Sequence, residues 1–110
     1  MKKLSRKASR IKNHILIDIK QTDINKPVKS NILERRYGVS GSTIREAIHS
    51  LRVTEKEPIC SDAKGYFYPR DKMEINHTIA QLRSRVKEIN EVANAIEEYF
   101  VSESQQGLGI

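Results

Sequence analysis

Residues 30–51 read SNILERRYGVSGSTIREAIHSL, and the organisation of the whole chain follows from this stretch. Its apolar residues fall into two groups separated by a glycine. Ile32, Leu33 and Tyr37 mark a short helix with Ser30 placed as its N-cap. Gly38 ends that helix, because glycine takes the left-handed conformation of a helix C-terminus without a steric penalty. After Val39 and Ser40, the residues Ile44, Ala47, Ile48 and Leu51 lie on one face of a further helix that reaches about Val53. Val39 is placed to plug the angle between the two helices.

Upstream, Ala8, Ile11, Ile15, Leu16 and Ile19 share one helical face within Ser5 to Gln21. Turn formers and Pro27 break the pattern after Thr22, and Pro27-Val28-Lys29 reads as extended. Downstream of Glu57-Pro58 the period changes. Ile59-Cys60-Ser61 and Tyr66-Phe67-Tyr68 read as two short strands around a turn of Asp62-Ala63-Lys64-Gly65, with Lys64 at its tip.

From Asp71 onward the pattern is the most regular in the chain. Ile75, Ile79, Leu82, Val86, Ile89, Ala93, Ile96 and Phe100 recur at alternating steps of four and three, a heptad seam. A seam of this kind asks for a partner surface, and these eight residues are the expected dimer contacts. In a parallel pair Arg83 would lie near Thr78 and Glu97 near Val92, with little charge complementarity. In an antiparallel pair centred near Asn90, Arg83 meets Glu97 of the other chain, which favours the antiparallel homodimer. The competing reading folds the stripe back onto the first helix of its own domain. Residues 102–110 (SESQQGLGI) lack periodicity and are expected to be a flexible tail.

The chain has 110 residues, of which 37% are hydrophobic and 31% charged, with a formal net charge of +6. This length allows one small domain with an appended helix. Residues 1–70 hold 16 basic against 7 acidic side chains, a surplus of +9, whereas residues 71–110 hold 4 against 7. A basic body beside an acidic segment points to a polyanionic partner for the body. The single Cys60 excludes an intramolecular disulfide or a multi-cysteine zinc site. No apolar run approaches the ~20 residues of a membrane span, and the basic start is not followed by a signal-peptide core. A cytoplasmic protein with no membrane partner and no cofactor is expected.

Residues 30–48 together form a helix, a glycine turn and a second helix with a serine cap. This arrangement resembles the helix-turn-helix, and the hairpin that follows makes it similar to the winged form. The stretch GVSGSTIREAIHSL is similar to the recognition-helix motif of GntR-type regulators. The pattern of Pro58-Ile59-Cys60-Ser61 and then Gly65-Tyr66-Phe67-Tyr68 resembles small winged-helix proteins of bacteriophages and related mobile elements. The resemblance covers roughly residues 10–70. It departs from the GntR-type motif at Gly41, where arginine is usual, and at Glu34, where alanine is frequent. The roughly 40 residues that follow are too few for the ligand-binding domain of that family, so a metabolite-sensing regulator is not expected. The expected fold is therefore mainly α with a small β-hairpin wing: a winged helix-turn-helix over 1–70, then a long, coiled-coil-like C-terminal helix over 71–101.

On the second helix of the motif, Ser42, Arg45, Glu46 and His49 fall opposite the apolar face, with Thr43 at the N-terminal edge. A face of this composition suits the major groove of double-stranded DNA. Arg45 is the candidate for a bidentate pair with guanine, and Ser42 and Thr43 suit phosphates or base edges. Glu46 reads as an intrahelical partner or a cytosine contact, and His49 as a phosphate contact or a bystander. Lys64 suits a phosphate or the minor groove, and Lys2, Lys3, Arg6 and Lys7 form a candidate electrostatic arm.

These features predict a sequence-specific, dimeric DNA-binding protein, a transcriptional regulator or replication accessory factor of a phage or mobile element. It would also be able to meet a host or phage protein. The alternative is an adaptor that uses the winged helix and the coiled coil to bind proteins. An enzyme is not expected. There is no P-loop, His-Glu-x-x-His or nucleophile-elbow pattern, and His14, His49 and His77 lie in separate segments. Tyr66 and Tyr68 are better explained by packing of the wing than as nucleophiles.

Overall fold

The computed structural model describes residues 3–107, with side chains up to residue 103. Its elements are α1 (Arg6–Lys20), α2 (Ser30–Tyr37), α3 (Gly41–Val53), β1 (Cys60–Asp62), β2 (Gly65–Phe67) and α4 (Lys72–Gly107). The chain is thus mainly helical, with one two-stranded antiparallel hairpin and a long C-terminal helix. It divides into two compact units, Met1–Thr78 and Ile79–Ile110.

In the first unit α1 packs chiefly on α3, and α3 also on α2. The apolar faces read from the sequence are the ones buried: Ala8, Ile11, Ile15 and Ile19 from α1, and Ile44, Ala47, Ile48 and Leu51 from α3. Leu33 and Ile59 complete the cluster, with Leu16, Tyr37 and Val39 partly buried against it. Ser5 caps α1 by accepting the Ala8 N–H, and Gly38 closes α2 in the left-handed conformation (φ 62°, ψ 41°).

Ser30 differs from its expected role. It is the first residue of α2 and not its cap; Lys29 holds the N-cap position without a side-chain bond. The Ser30 hydroxyl instead donates to Glu34 Oε2, one turn on, at 3.2 Å. The α1–α2 contact is fixed by Tyr37, whose hydroxyl donates to Asp18 Oδ2, a carboxylate that also pairs with Arg36 at 3.1 Å.

The hairpin pairs Cys60 with Phe67, Ser61 with Tyr66, and Asp62 with Gly65, so Ala63 and Lys64 form the loop. Lys64 stands at the tip as expected, its N–H donating to Asp62 Oδ1 at 2.8 Å. A third backbone segment joins the hairpin. Val28 and Tyr66 exchange two N–H···O bonds of 2.8 Å each, so the extended Pro27–Lys29 stretch lies along β2. Gly65 permits this approach: at φ 141°, a Cβ there would stand 2.4 Å from the Val28 carbonyl oxygen. Arg52 of α3 holds the other side, with Nε donating to the Ile59 carbonyl (2.9 Å) and Nη2 to Ser61 Oγ (3.2 Å).

Two expected boundaries shift. The first unit extends to Thr78, not to residue 70, because the opening turns of α4 are bonded to the hairpin and the segment that follows it. Thr78 Oγ1 accepts the Ser61 N–H at 3.3 Å, and buried Glu74 accepts from Arg70 Nη2 at 2.9 Å. Ile75, expected in the dimer seam, is half-buried in this unit instead. At the other end α4 continues to Gly107, so residues 102–107 are helical where a flexible tail was expected. Ser, Glu and Gln offer no helix breaker before Gly107. Residues 108–110 of that tail lie outside the described residues.

The two left-handed glycines differ in what surrounds them. A Cβ on Gly38 would meet nothing within 4 Å, whereas one on Gly65 would run into backbone. Gly38→Ala is expected to cost about 1 kcal/mol, the left-handed penalty alone. Gly65→Ala is expected to cost roughly 3 kcal/mol or more, since the strained φ and the clash add. Urea unfolding of the two variants measures the difference.

Burial, and then the hydrogen bond to Asp18, push the Tyr37 phenol up to about 12 from its ordinary 10. Below pH 10 both the folded and the unfolded chain keep this proton, so the contribution to stability is complete there. As pH rises from 10 towards 12 the unfolded chain releases its proton first, and stability falls. Burial, and then the hydrogen bond to Glu57, also push the Tyr68 phenol up. Absorbance titration at alkaline pH is therefore expected to show late phenols, and Tyr37→Phe to remove the one near 12 together with its share of the alkaline destabilisation.

Candidate nucleic-acid interface

Helix α3 is seated by four buried side chains and capped at its start. Ser40 Oγ accepts the Thr43 N–H at 3.3 Å and lies 3.2 Å from the Thr43 hydroxyl. Thr43 is therefore half-buried in the cap, beside the face and not on it. Ser42, Arg45 and His49 are exposed, at steps of three and four, and form a single stripe opposite the core. The structure thus brings together three of the five α3 candidates on one open face.

Glu46 is placed elsewhere. It is half-buried, and both of its carboxylate oxygens accept from Ser5, Oε2 from the backbone N–H at 2.6 Å and Oε1 from the hydroxyl at 2.9 Å. Glu46 therefore ties α3 to the N-cap of α1, a negative group at the positive end of a helix dipole. Neither of the roles read from the sequence includes this contact. The two residues are 41 positions apart, and no local pattern links them.

Lys64 is exposed and shares a shallow depression with Lys26, Lys29, Asn25 and the partly exposed Ile32. Sequence reading did not single out Lys26 or Lys29. They meet the hairpin tip only because Val28 pairs with Tyr66, and that register is not visible in either segment alone. Of the candidate N-terminal arm, Lys3, Arg6 and Lys7 are exposed, and Lys2 lies outside the described residues.

Helix α2 borders both the lysine-lined depression and the start of α3. Lys29 at its N-cap lines the depression, and Glu34 lies against the start of α3. A Cβ on Gly41 would stand 3.3 Å from Arg45 Nη1 and 3.3 Å from Glu34 Oε2. The two positions at which the chain departs from the GntR-type pattern are therefore spatial neighbours. The absent side chain at 41 leaves room for the Glu34 carboxylate beside the Arg45 guanidinium, at the border of the open stripe.

The remaining chemistry is sparse. Burial pushes the Cys60 thiol up, so its thiolate is suppressed. Among the described residues there is no group of three or more His, Cys, Asp or Glu side chains able to hold a metal ion. Among them, too, no helix is long and apolar enough to cross a membrane. No family model matches the chain, and comparison with curated proteins and with solved structures gave no match.

The neighbours of Gly41 are the far ends of two flexible side chains, which can move by a few tenths of an ångström. Gly41→Ala is therefore expected to fold and to gain up to about 0.5–1 kcal/mol from the lower entropy of the unfolded chain. Thermal unfolding of the variant tests this. A loss of stability would mean that Glu34 and Arg45 are held more rigidly than their contacts indicate.

Proposed function

We propose that this chain is a DNA-binding protein that acts as a winged helix-turn-helix, with α3 as the recognition helix. The observation that carries this reading is the exposed stripe of Ser42, Arg45 and His49 on a helix whose opposite face is fully seated in the core. Arg45 supplies a planar fork for a guanine edge, and Ser42 a small donor and acceptor at the helix start. The surplus of +9 over residues 1–70 supports a polyanionic partner, with Lys26, Lys29 and Lys64 as phosphate contacts. Two copies joined through α4 would double these contacts and favour a palindromic or repeated site. A regulator of transcription, or an accessory factor of replication in a phage or mobile element, is the role this architecture suits, in a cytoplasmic setting.

Selection from pooled duplex DNA at two salt concentrations tests the reading. One enriched motif is expected, with affinity falling steeply as salt rises. Arg45→Ala is expected to cost about 1–3 kcal/mol at the selected site and to relax one base position. Lys64→Ala is expected to weaken all sequences alike and to reduce the salt slope by about 1. No binding at low salt would overturn the proposal and favour the adaptor reading, in which the same surfaces bind protein.

A further inference from the structure

Among the described residues, the second unit carries a long apolar face left uncovered in the single chain. Val86, Ile89, Val92, Ile96, Tyr99 and Phe100 are each more than half exposed. Isolated helices gain little from propensity alone and depend on packing of an apolar face. The stripe also changes width along its length. From Leu82 to Val86 it is a narrow seam, with Arg85 on its flank. From Ile89 onward Val92 and Tyr99 join the same flank, and the apolar face broadens beyond a two-position seam.

The charges are segregated along the same helix. Arg83, Arg85 and Lys87 occupy the earlier part, and Glu88, Glu91, Glu97, Glu98 and Glu103 the later part. In a parallel pair Arg83 would face Thr78 and Glu97 would face Val92, so neither charge meets an opposite one. An antiparallel pair sets Arg83 against Glu97.

We propose that residues 82–100 pair with the same stretch of a second copy, antiparallel, with Val92 facing Val92 across the two-fold axis. This rests on the pairing through α4 suggested under the proposed function, and assigns its direction and register. In this register Phe100 lies over Leu82 of the second copy, Ile96 over Val86, and Ala93 over Ile89. Every seam residue from Leu82 to Phe100 finds an apolar partner, and the smallest, Ala93, meets a branched one. On one flank Arg83 meets Glu97 of the second copy. On the other, Arg85 reaches the ring of Tyr99 of the second copy, a cation–π arrangement. The broadening of the later half is thereby explained. Val92 packs against its own equivalent, and Tyr99 is the platform for the arginine that narrows the earlier half.

Exchange of charges tests direction and register together. Arg83→Glu places two Glu–Glu contacts in the antiparallel dimer, and Glu97→Arg places two Arg–Arg contacts. Each single variant is expected to raise the dimer Kd by about tenfold. An equimolar mixture of the two is expected to form the heterodimer preferentially, and the double variant R83E/E97R to return to the wild-type Kd. Both positions are exposed and lie outside the first unit, so its fold is not at stake. Sedimentation equilibrium of differently tagged chains reads each outcome without DNA. A wild-type dimer whose single variants mix without preference would overturn the register while leaving pairing through α4 intact. A wild-type chain that stays monomeric up to roughly 1 mM would overturn the pairing itself, register included. Trimers or tetramers would overturn the two-copy arrangement.

Discussion

The pair of backbone hydrogen bonds between Val28 and Tyr66 holds the first unit in register. It joins the α1–α2 connection to a hairpin that follows α3 in sequence, and so closes the chain on itself around the core. A two-stranded hairpin is marginal by itself in water. Here β1 and β2 gain a third backbone partner on one edge, Arg52 from α3 at the other strand, and Thr78 beyond it. The placement of Lys26, Lys29 and Lys64 in one depression is a consequence of this closure.

Much of the fold was legible from periodicity. The apolar faces of α1 and α3 carry a 3.6-residue period strong enough to name every residue that they bury, and Gly38 and Ser40 mark termini by local chemistry. The hairpin was legible from the turn residues Asp62-Ala63-Lys64-Gly65 set between Ile59-Cys60-Ser61 and Tyr66-Phe67-Tyr68. What was not legible depends on contacts between distant segments. Ser30 has the composition of a cap, but the chain enters α2 from the strand-like Pro27–Lys29 segment, and the cap position falls on Lys29. Glu46 has the spacing of a groove-facing residue, yet the N-cap of α1 stands beside it and takes its carboxylate. Arg52 carried no signal at all, because its partners are a carbonyl and a hydroxyl on the hairpin.

The electrostatics of the candidate interface are set as much by where acids are placed as by the surplus of bases. Glu46 is turned towards the positive end of α1, and Glu55 and Glu57 pair with Lys12 and Lys20 on the same helix. These carboxylates take partners on α1 or at its N-cap, although Glu46 lines one depression together with His49. Glu34 is the exception, next to Arg45 across the gap at Gly41.

The clamp between Glu46 and Ser5 has a consequence for how the molecule opens. The first turn of a helix ordinarily frays, exchanging its amide protons without disturbing anything else. Here the cap of α1 is also a ligand of α3, so release of that turn strips two donors from a carboxylate on the central helix. Fraying at the start of α1 therefore also removes a contact of α3, although the two residues that make it are 41 positions apart in the chain.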